Sequence, residues 1–596
     1  MSKQKAKQLT ILPSNKQTDI DEKKTLLELL REKGINMAAP CGGKGRCGKC
    51  TVQILRGHEG VPISSSEKRL LTTSQIGQGY RLSCQFKAVS DTIVKTPDSP
   101  DISELQESLV FDEEPERSSS VIRRPFTLPL PSLQDQAPDV ERLVKQLNRN
   151  NVTIDRLHLL RKLPSLLRNN NFTAEAILYD DQIIDLRTKS KSEPLYGIAI
   201  DLGTSTIAAY LVNLETGKVS STRSISNPQS SYGQDIISRI DHTINNPEGL
   251  NELRRVLQKS LHGLIDSLCE ETSVSKDNIY EVIIAGNSTM THLFLGITPR
   301  YIASSPYVPV TTQQLTFCSH ELNMEQWIPQ AKVHVLPGIS AFVGSDIVAG
   351  ILCSKLYEEK QTSLLIDLGT NGEIVLKTGE GLFACSAAAG PALEGGHIQH
   401  GMIAAPGAID RVWIDEGKRV SFSTINNNEP AGICGSGLID AIAAMLDIRL
   451  IDTDGRLTQD PFFFDSAHRT VKLTQRDVRE VQLAKSAIRT GIELLYDTGG
   501  ISPEDTDRVF LAGAFGNNIN PQSAIRIGLL PDILQQRVTP IGNAAGTGAC
   551  MCLLNSKNKE KTRMIASEVE YVELSAKKEF ADHFMHFMTF PQEVGS

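Results

Sequence analysis

Four cysteines and one duplicated acidic turn are the groups in this sequence with evident chemistry. Cys41, Cys47 and Cys50 are separated by five and by two residues, and Cys84 completes the set. The loop that carries the first three also holds Gly42, Gly43, Gly45 and Gly48. Thiolate is the soft ligand that iron–sulfur clusters need. Glycine lets the backbone wrap a cluster closely and aim N–H groups at its sulfurs. The spacing lies one residue from the C-x4-C-x2-C plant-type pattern with its distant fourth cysteine. A zinc ribbon would pair two C-x2-C knuckles, and Cys84 has no such neighbour. The four cysteines are therefore expected to hold a [2Fe-2S] cluster, a one-electron carrier working near roughly −400 mV. Cys434, Cys550 and Cys552 lie in apolar helical runs and read as small core residues.

The acidic turn is Asp201-Leu-Gly-Thr-Ser, repeated at Asp367-Leu-Gly-Thr-Asn. Between two strands such a turn suits a nucleotide. Gly203 and Gly369 bring backbone N–H groups close to phosphate. Thr204, Ser205, Thr370 and Asn371 supply polar side chains, and the two aspartates can hold Mg2+, usually through water. No G-x4-G-K-[ST] loop is present, so the phosphate binder is of another kind. A single turn of this type is common. Two copies in matched strand contexts amount to an internal repeat.

Positioning these groups needs four kinds of unit. Residues 1–97 read as a strand-rich domain, with a strand at Gln8–Leu12, an amphipathic helix over Lys24–Lys33 and strands near Thr51 and Asp91. Residues 98–124 are acidic and Ser-rich, a linker composition. Residues 125–195 suggest a small α+β unit, with a helix over Asp139–Asn148 and strands at Ala174–Tyr179 and Gln182–Asp185. From Tyr196 strands alternate with helices, which predicts α/β architecture, split into subdomains 196–360 and 361–596.

The cysteine pattern, with Ala38-Ala-Pro-Cys and Arg81-Leu-Ser-Cys, resembles vertebrate-type and bacterial [2Fe-2S] ferredoxins, implying a β-grasp fold. The paired turns resemble the phosphate motifs of the acetate and sugar kinase, heat-shock chaperone and actin superfamily, whose two ribonuclease-H-like lobes close on ATP. Arg508-Val-Phe-Leu-Ala-Gly-Ala-Phe-Gly-Asn is similar to the adenosine motif of that superfamily, with Gly513 and Gly516 beside adenine. Gly344-Ser-Asp-Ile-Val-Ala-Gly-Ile and Gly542-Asn-Ala-Ala-Gly-Thr-Gly-Ala resemble its two connecting motifs. Gln482-Leu-Ala-Lys-Ser-Ala-Ile-Arg resembles the helix covering the nucleoside, so Lys485 is expected either to reach ribose or phosphate or to be a solvated helix lysine.

The whole arrangement resembles the reductive activators of corrinoid proteins, including Asn227-Pro-Gln, Tyr232-Gly-Gln-Asp-Ile-Ile-Ser-Arg-Ile and Ser386-Ala-Ala-Ala-Gly-Pro-Ala-Leu-Glu-Gly-Gly. The resemblance implies an α/β multidomain chain with a [2Fe-2S] cluster, ATP and Mg2+. It implies transfer of one electron to Co(II) of a corrinoid methyl-carrier protein to restore Co(I), an upstream low-potential donor, and a homodimer. For one electron, each 59 mV uphill costs tenfold. A gap of about 100 mV costs about 2.3 kcal/mol, within reach of an ATP-biased conformational change. The segment from Cys385 to Pro391 faces the corrin in one reading, with Ser386 toward cobalt, and lies in a cleft or core in the other.

Composition sets the remaining bounds. The formal net charge of −8 over 596 residues argues against a nucleic-acid partner. The polar start and the absence of a long apolar run point to a cytoplasmic chain without membrane contact. Eleven cysteines, an odd number, exclude a complete disulfide framework. Three other functions remain open: an ATP-driven reductase of another low-potential metalloprotein, a redox-sensing small-molecule kinase with Asp235 as base, and a chaperone-like module with a structural cluster.

Overall fold

The computed structural model describes residues 7–35, 37, 43–46, 48–97, 109, 117–148, 152–189, 193–464, 471–513 and 518–592. At the N-terminus five strands lie in the order Lys16–Asp19, Gln8–Leu12, Thr92–Lys95, Thr51–Arg56, Tyr80–Leu82. Gln8–Leu12 runs parallel to Thr92–Lys95, and the other pairs are antiparallel. The Leu26–Glu32 helix begins at a Thr25–Glu28 capping box and buries Leu26, Leu27, Leu29 and Leu30. Those four leucines pack with Leu9, Ile11, Val52 and Ile54 from alternate strand positions. A mixed sheet gripping one helix is the β-grasp arrangement.

The middle unit is an antiparallel sheet, Val121–Thr127, Thr173–Tyr179 and Gln182–Arg187, covered by the Asp139–Leu147 and Leu157–Asn169 helices. Val121–Thr127 lies at the sheet edge and contains Pro125, whose missing N–H is tolerated there.

The two large lobes repeat one topology. In the first, the order is Val219–Ser226, Thr206–Asn213, Tyr196–Leu202, Ile279–Gly286, Lys332–Val335, Leu315–Cys318. In the second, it is Leu382–Ala387, Gly372–Lys377, Ser363–Leu368, Arg508–Ala512, Val538–Gly542, with Val569–Tyr571 added beside Leu382–Ala387. Each lobe opens with a three-stranded antiparallel meander whose first strand is then flanked by a parallel one. This is the ribonuclease-H-like order, built twice. Each acidic turn therefore sits at the first hairpin of its lobe.

Two helices cross between the lobes, Ser345–Cys353 and Ala544–Leu554. A Cβ on Gly548 would come within 2.2 Å of the Ala349 carbonyl oxygen, so this crossing tolerates no side chain there. Beyond it, the Ser556–Glu568 helix sends Lys559 into a buried site. Its ammonium donates to Glu281 Oε1 at 2.6 Å, Ser120 Oγ at 2.7 Å and Tyr179 OH at 3.3 Å. One buried cation thus fastens the middle unit to the first lobe and the C-terminal helices.

Candidate functional site: a two-lobed cleft and a thiolate loop

The first acidic turn is locked from below. A Cβ on Gly203 would lie 2.4 Å from the Thr206 carbonyl oxygen, which fixes glycine at this position. Asn227 Nδ2 donates to the Gly203 carbonyl at 2.8 Å. Asn287, capping the Ser288–Leu295 helix, donates to Thr204 Oγ1 at 2.9 Å. Arg239 is fully buried, and its guanidinium donates to the carbonyls of Thr204 at 2.6 Å and Gly233 at 2.9 Å. In the second turn the Gly369 N–H donates to the Asn371 carbonyl at 3.0 Å.

The two turns meet across the lobes. Ser205 Oγ and Thr370 Oγ1 lie 3.1 Å apart, and both donate to Glu394 Oε2, at 3.0 and 2.9 Å. A cavity of about 1440 Å³ opens from this point, lined by Ser205, Glu394, Ser436 and Asn543 and, across from them, by Lys49 of the N-terminal domain. Asn543 Nδ2 donates to Asp201 Oδ2 at 2.9 Å, joining the first turn to the second connecting helix. Gly513 follows the Arg508–Ala512 strand with φ of +96°, and a Cβ there would lie 2.8 Å from Asp367 Oδ1. It therefore closes against the second aspartate. Gly516 lies outside the described residues.

Asp367 has unusual company. Burial, with Asp346 and Glu394 nearby, pushes its carboxyl up to about 7. Burial pushes Asp346 up to about 6. Glu373 is raised well above the carboxylate range by burial and then by Asp346 and Asp367. Burial also raises Glu394, opposed by the hydroxyls of Thr370 and Ser205. One or two carboxylates, completed by water and phosphate oxygens, are the donor set Mg2+ takes. The mutual repulsion is what a divalent cation would relieve. The residues present fit Mg2+ and nucleotide, with Asp201 and Asp367 at the two turns.

At the other end, Cys50 and Cys84 are buried with their Sγ atoms 3.3 Å apart, too far for a disulfide. Its hydrogen bond with Cys84 pulls the Cys50 thiol down to about 6, against the effect of burial. A buried Glu67–Arg81 pair at 2.8 Å and a Leu82 N–H to Glu67 contact at 3.1 Å hold the strand that leads to Cys84. Gly43 and Gly45 have φ of +81° and +66°, which bends the loop back over this pair. An acidified thiol on such a loop, with a second thiol beside it, suits a cluster. Cys41 and Cys47 lie outside the described residues.

Several expected groups are placed elsewhere. Lys485 is buried away from the hydroxyl pair: its ammonium donates to the Thr589 carbonyl and sits 5.1 Å from the Phe590 ring centroid. The C-terminal segment folds onto the helix and takes the cation that sequence alone would offer to ribose, phosphate or solvent. Asp235 caps the Ile236–Asn245 helix by accepting from Ser238 N at 2.8 Å, which is a structural use and not that of a base. Ser386 is a residue within the Leu382–Ala387 strand, its Oγ donating to Glu373 Oε1 at 3.2 Å, beside the acid cluster. Arg239, Asp346 and Glu394 were not singled out as site residues by sequence reasoning. The turn Gly390-Pro-Ala-Leu-Glu-Gly-Gly, rich in backbone-bending residues around one acid, was the available signal for Glu394.

Comparison with known proteins gives one consistent picture. The C-terminal domain of RACo, the ASKHA domain, matches residues 361–595. The RACo middle region matches 196–359, the RACo linker region 112–193, and the 2Fe-2S iron-sulfur cluster binding domain 9–89. The corrinoid activation enzyme RamQ of Eubacterium limosum is 30% identical over 97% of this chain and 98% of its own. The [Co(II) methylated amine-specific corrinoid protein] reductase of Methanosarcina barkeri is 27% identical over 66% of this chain and 74% of its own. A solved reductive activator for corrinoid, iron-sulfur protein is 34% identical, covers 98% of both chains and superposes with a TM-score of 0.76.

Proposed function

Because this chain belongs to the family of reductive activators of corrinoid proteins, we propose that it uses ATP to deliver one electron to Co(II) of a corrinoid protein, restoring the methyl-accepting Co(I) state. The observation that carries this reading is the meeting of Ser205, Thr370 and Glu394 between two repeated lobes, in a cavity that also borders the thiolate domain. One end of the molecule handles phosphate and the other handles an electron, and they share a wall.

Cys50 and Cys84, with Cys41 and Cys47, would hold the cluster, which when bound supplies a reversible one-electron couple. Asp201 and Asp367, with Asp346 beside them, would hold Mg2+, which supplies charge neutralisation to the phosphates. The chain's own groups do the positioning. The N–H groups and hydroxyls of residues 203–205 and 369–371 grip phosphate oxygens from opposite lobes. Arg239 and Asn287 keep the first turn rigid. Gly513 lets the Arg508–Ala512 strand close directly against Asp367 and the second turn. Closing on ATP draws the lobes together, and that motion biases a partner held against them. Corrinoid reduction is uphill from a cluster of this type, so the conformational term must favour Co(I) by some 2–3 kcal/mol, roughly thirtyfold to 150-fold.

In this reading the chain works as a homodimer in the cytoplasm, where thiols stay reduced, and takes electrons from a low-potential donor. Among the described residues no helix is long and apolar enough to cross a membrane. The test is anaerobic. The iron- and sulfide-reconstituted chain is mixed with a Co(II) corrinoid protein, a low-potential reductant and ATP, and the Co(I) absorption is followed. Co(I) should accumulate with ATP and fail to accumulate without it, or with Cys50→Ser. Equal reduction in the absence of ATP overturns the reading. Sedimentation of the purified chain tests the dimer.

A further inference from the structure

The thiolate domain touches both lobes at once. On the first lobe, the Arg31 guanidinium lies over the Tyr232 ring, 4.7 Å from its centroid. On the second, Lys49 Nζ donates to the carbonyls of Gln399 and Ile398 at 3.3 and 3.4 Å. Lys49 directly precedes Cys50. The carbonyls it holds belong to the segment that carries Glu394.

That segment, Pro391–Met402, is a stiff piece. The Pro391–Glu394 helical turn is closed by a Gly396 N–H to Pro391 carbonyl contact at 2.8 Å. Gly395 has φ of +78°, and a Cβ there would lie 2.7 Å from the Met402 carbonyl oxygen, so the segment folds tightly on itself. Ile398 is fully buried, Gln399 N–H donates to Asp477 Oδ1 at 2.8 Å, and Met402 N–H donates to the Ile433 carbonyl at 3.0 Å. A shift at Glu394 is therefore not absorbed locally, because packed elements transmit strain instead of deforming continuously.

Glu394 is also where a phosphate must act. Its Oε2 accepts from both Ser205 and Thr370, the two hydroxyls that a nucleotide would claim. A phosphate oxygen accepting from those two hydroxyls takes the donors that Oε2 now holds, so nucleotide entry shifts the carboxylate. We propose that Glu394 and Lys49 are the positioning residues of one coupling segment, Pro391–Met402, which carries the state of the nucleotide cleft to the cluster loop at Cys50. Glu394 reads the phosphates, the segment moves as a body, and Lys49 follows its carbonyls. This deepens the reading of the chain as an ATP-dependent electron donor.

The test uses the full, cluster-reconstituted chain without any corrinoid protein, so that its failure is separate from failure of the activation reaction. Amide hydrogen exchange is compared with and without Mg2+ and an ATP analogue bearing a non-hydrolysable β–γ bridge, at concentrations that calorimetry shows to be saturating. In the unaltered chain exchange changes at 391–402 and also at 48–56. In Lys49→Ala the change at 391–402 persists and the change at 48–56 falls at least fivefold. In Glu394→Gln both changes fall at least fivefold. If Glu394→Gln does not bind the analogue, Glu394→Asp is read in its place, and its two changes should fall together. No change at 48–56 in the unaltered chain overturns the proposal. So does a change there that survives Lys49→Ala, or a pair of changes that survives at Glu394.

Discussion

Replacing Arg239 with lysine should loosen the first acidic turn. The guanidinium is fully buried and spans two backbone carbonyls 29 residues apart, Thr204 at 2.6 Å and Gly233 at 2.9 Å, with Gln229 Oε1 at 3.3 Å. A single ammonium on a shorter reach cannot serve both carbonyls. One acceptor then stays buried without a partner. A hydrogen bond to a charged group contributes about 1.5–3 kcal/mol. The expected loss is therefore of that size, roughly tenfold to a hundredfold in a local equilibrium. A chain of several domains does not unfold in one step, so the readout should be local. Amide exchange in the Ile236–Asn245 helix should quicken by that factor, and the affinity for ATP measured by calorimetry should fall by a similar one. If exchange and affinity both stay within twofold of the parent chain, Arg239 does not anchor the turn and the reasoning fails.

Lys559→Met should destabilise the junction around Glu281 by about 3–5 kcal/mol, because Glu281 then stays buried without its cation; adding Glu281→Leu should recover most of that loss, read as amide exchange in the Ser556–Glu568 helix. Lys485 is pulled from 10.5 down to about 7 by burial and then by Arg489. Between pH 7 and 10.5 the unfolded chain binds the proton that the folded chain has given up, so stability rises with pH there by at most about 1.4 kcal/mol per unit. Lys485→Met should flatten that rise in the opening free energy of the Gln475–Gly499 helix, read by amide exchange from pH 7 to 9 after correction for intrinsic rates, and an unaltered slope would refute the assignment. Gly548→Val should push the crossing helices apart, costing about 1–3 kcal/mol or more and slowing ATP hydrolysis; a variant with parental Tm and turnover would show that the lobes do not need this close approach.

The chemistry was more legible than its support. Cysteine spacing and the repeated Asp-Leu-Gly-Thr turn are local signals, and the doubled sheet order follows from the second of them. The middle unit was harder to read. Val121–Thr127 straddles the boundary read at residue 124 between linker and middle unit, and becomes a strand because its edge position leaves the missing donor of Pro125 harmless. The Leu157–Asn169 helix was hidden by Pro164. Lys485 sat on a helix with the right look, but its fate depends on Thr589 and Phe590, about a hundred residues onward. Arg239 and Glu394 were invisible as partners for the same reason. Their roles arise from contacts between segments far apart in sequence, which periodicity does not encode.

The backbone bridge at Ser118 has a bearing on how the molecule could let its electron carrier go and recover it. Ser118 N–H donates to the Leu554 carbonyl at 2.9 Å, and the Ser118 carbonyl accepts from Ser556 N–H at 2.8 Å. The chain is thus pinned to the body at that residue. From Pro97 to Ser118 it can reach no more than about 75 Å even at full stretch. If Arg31 and Lys49 release their holds, covalent continuity still keeps the iron-bearing head within that distance. Its return is an intramolecular search, independent of how dilute the protein is and unable to be intercepted by a competing copy's head at low concentration.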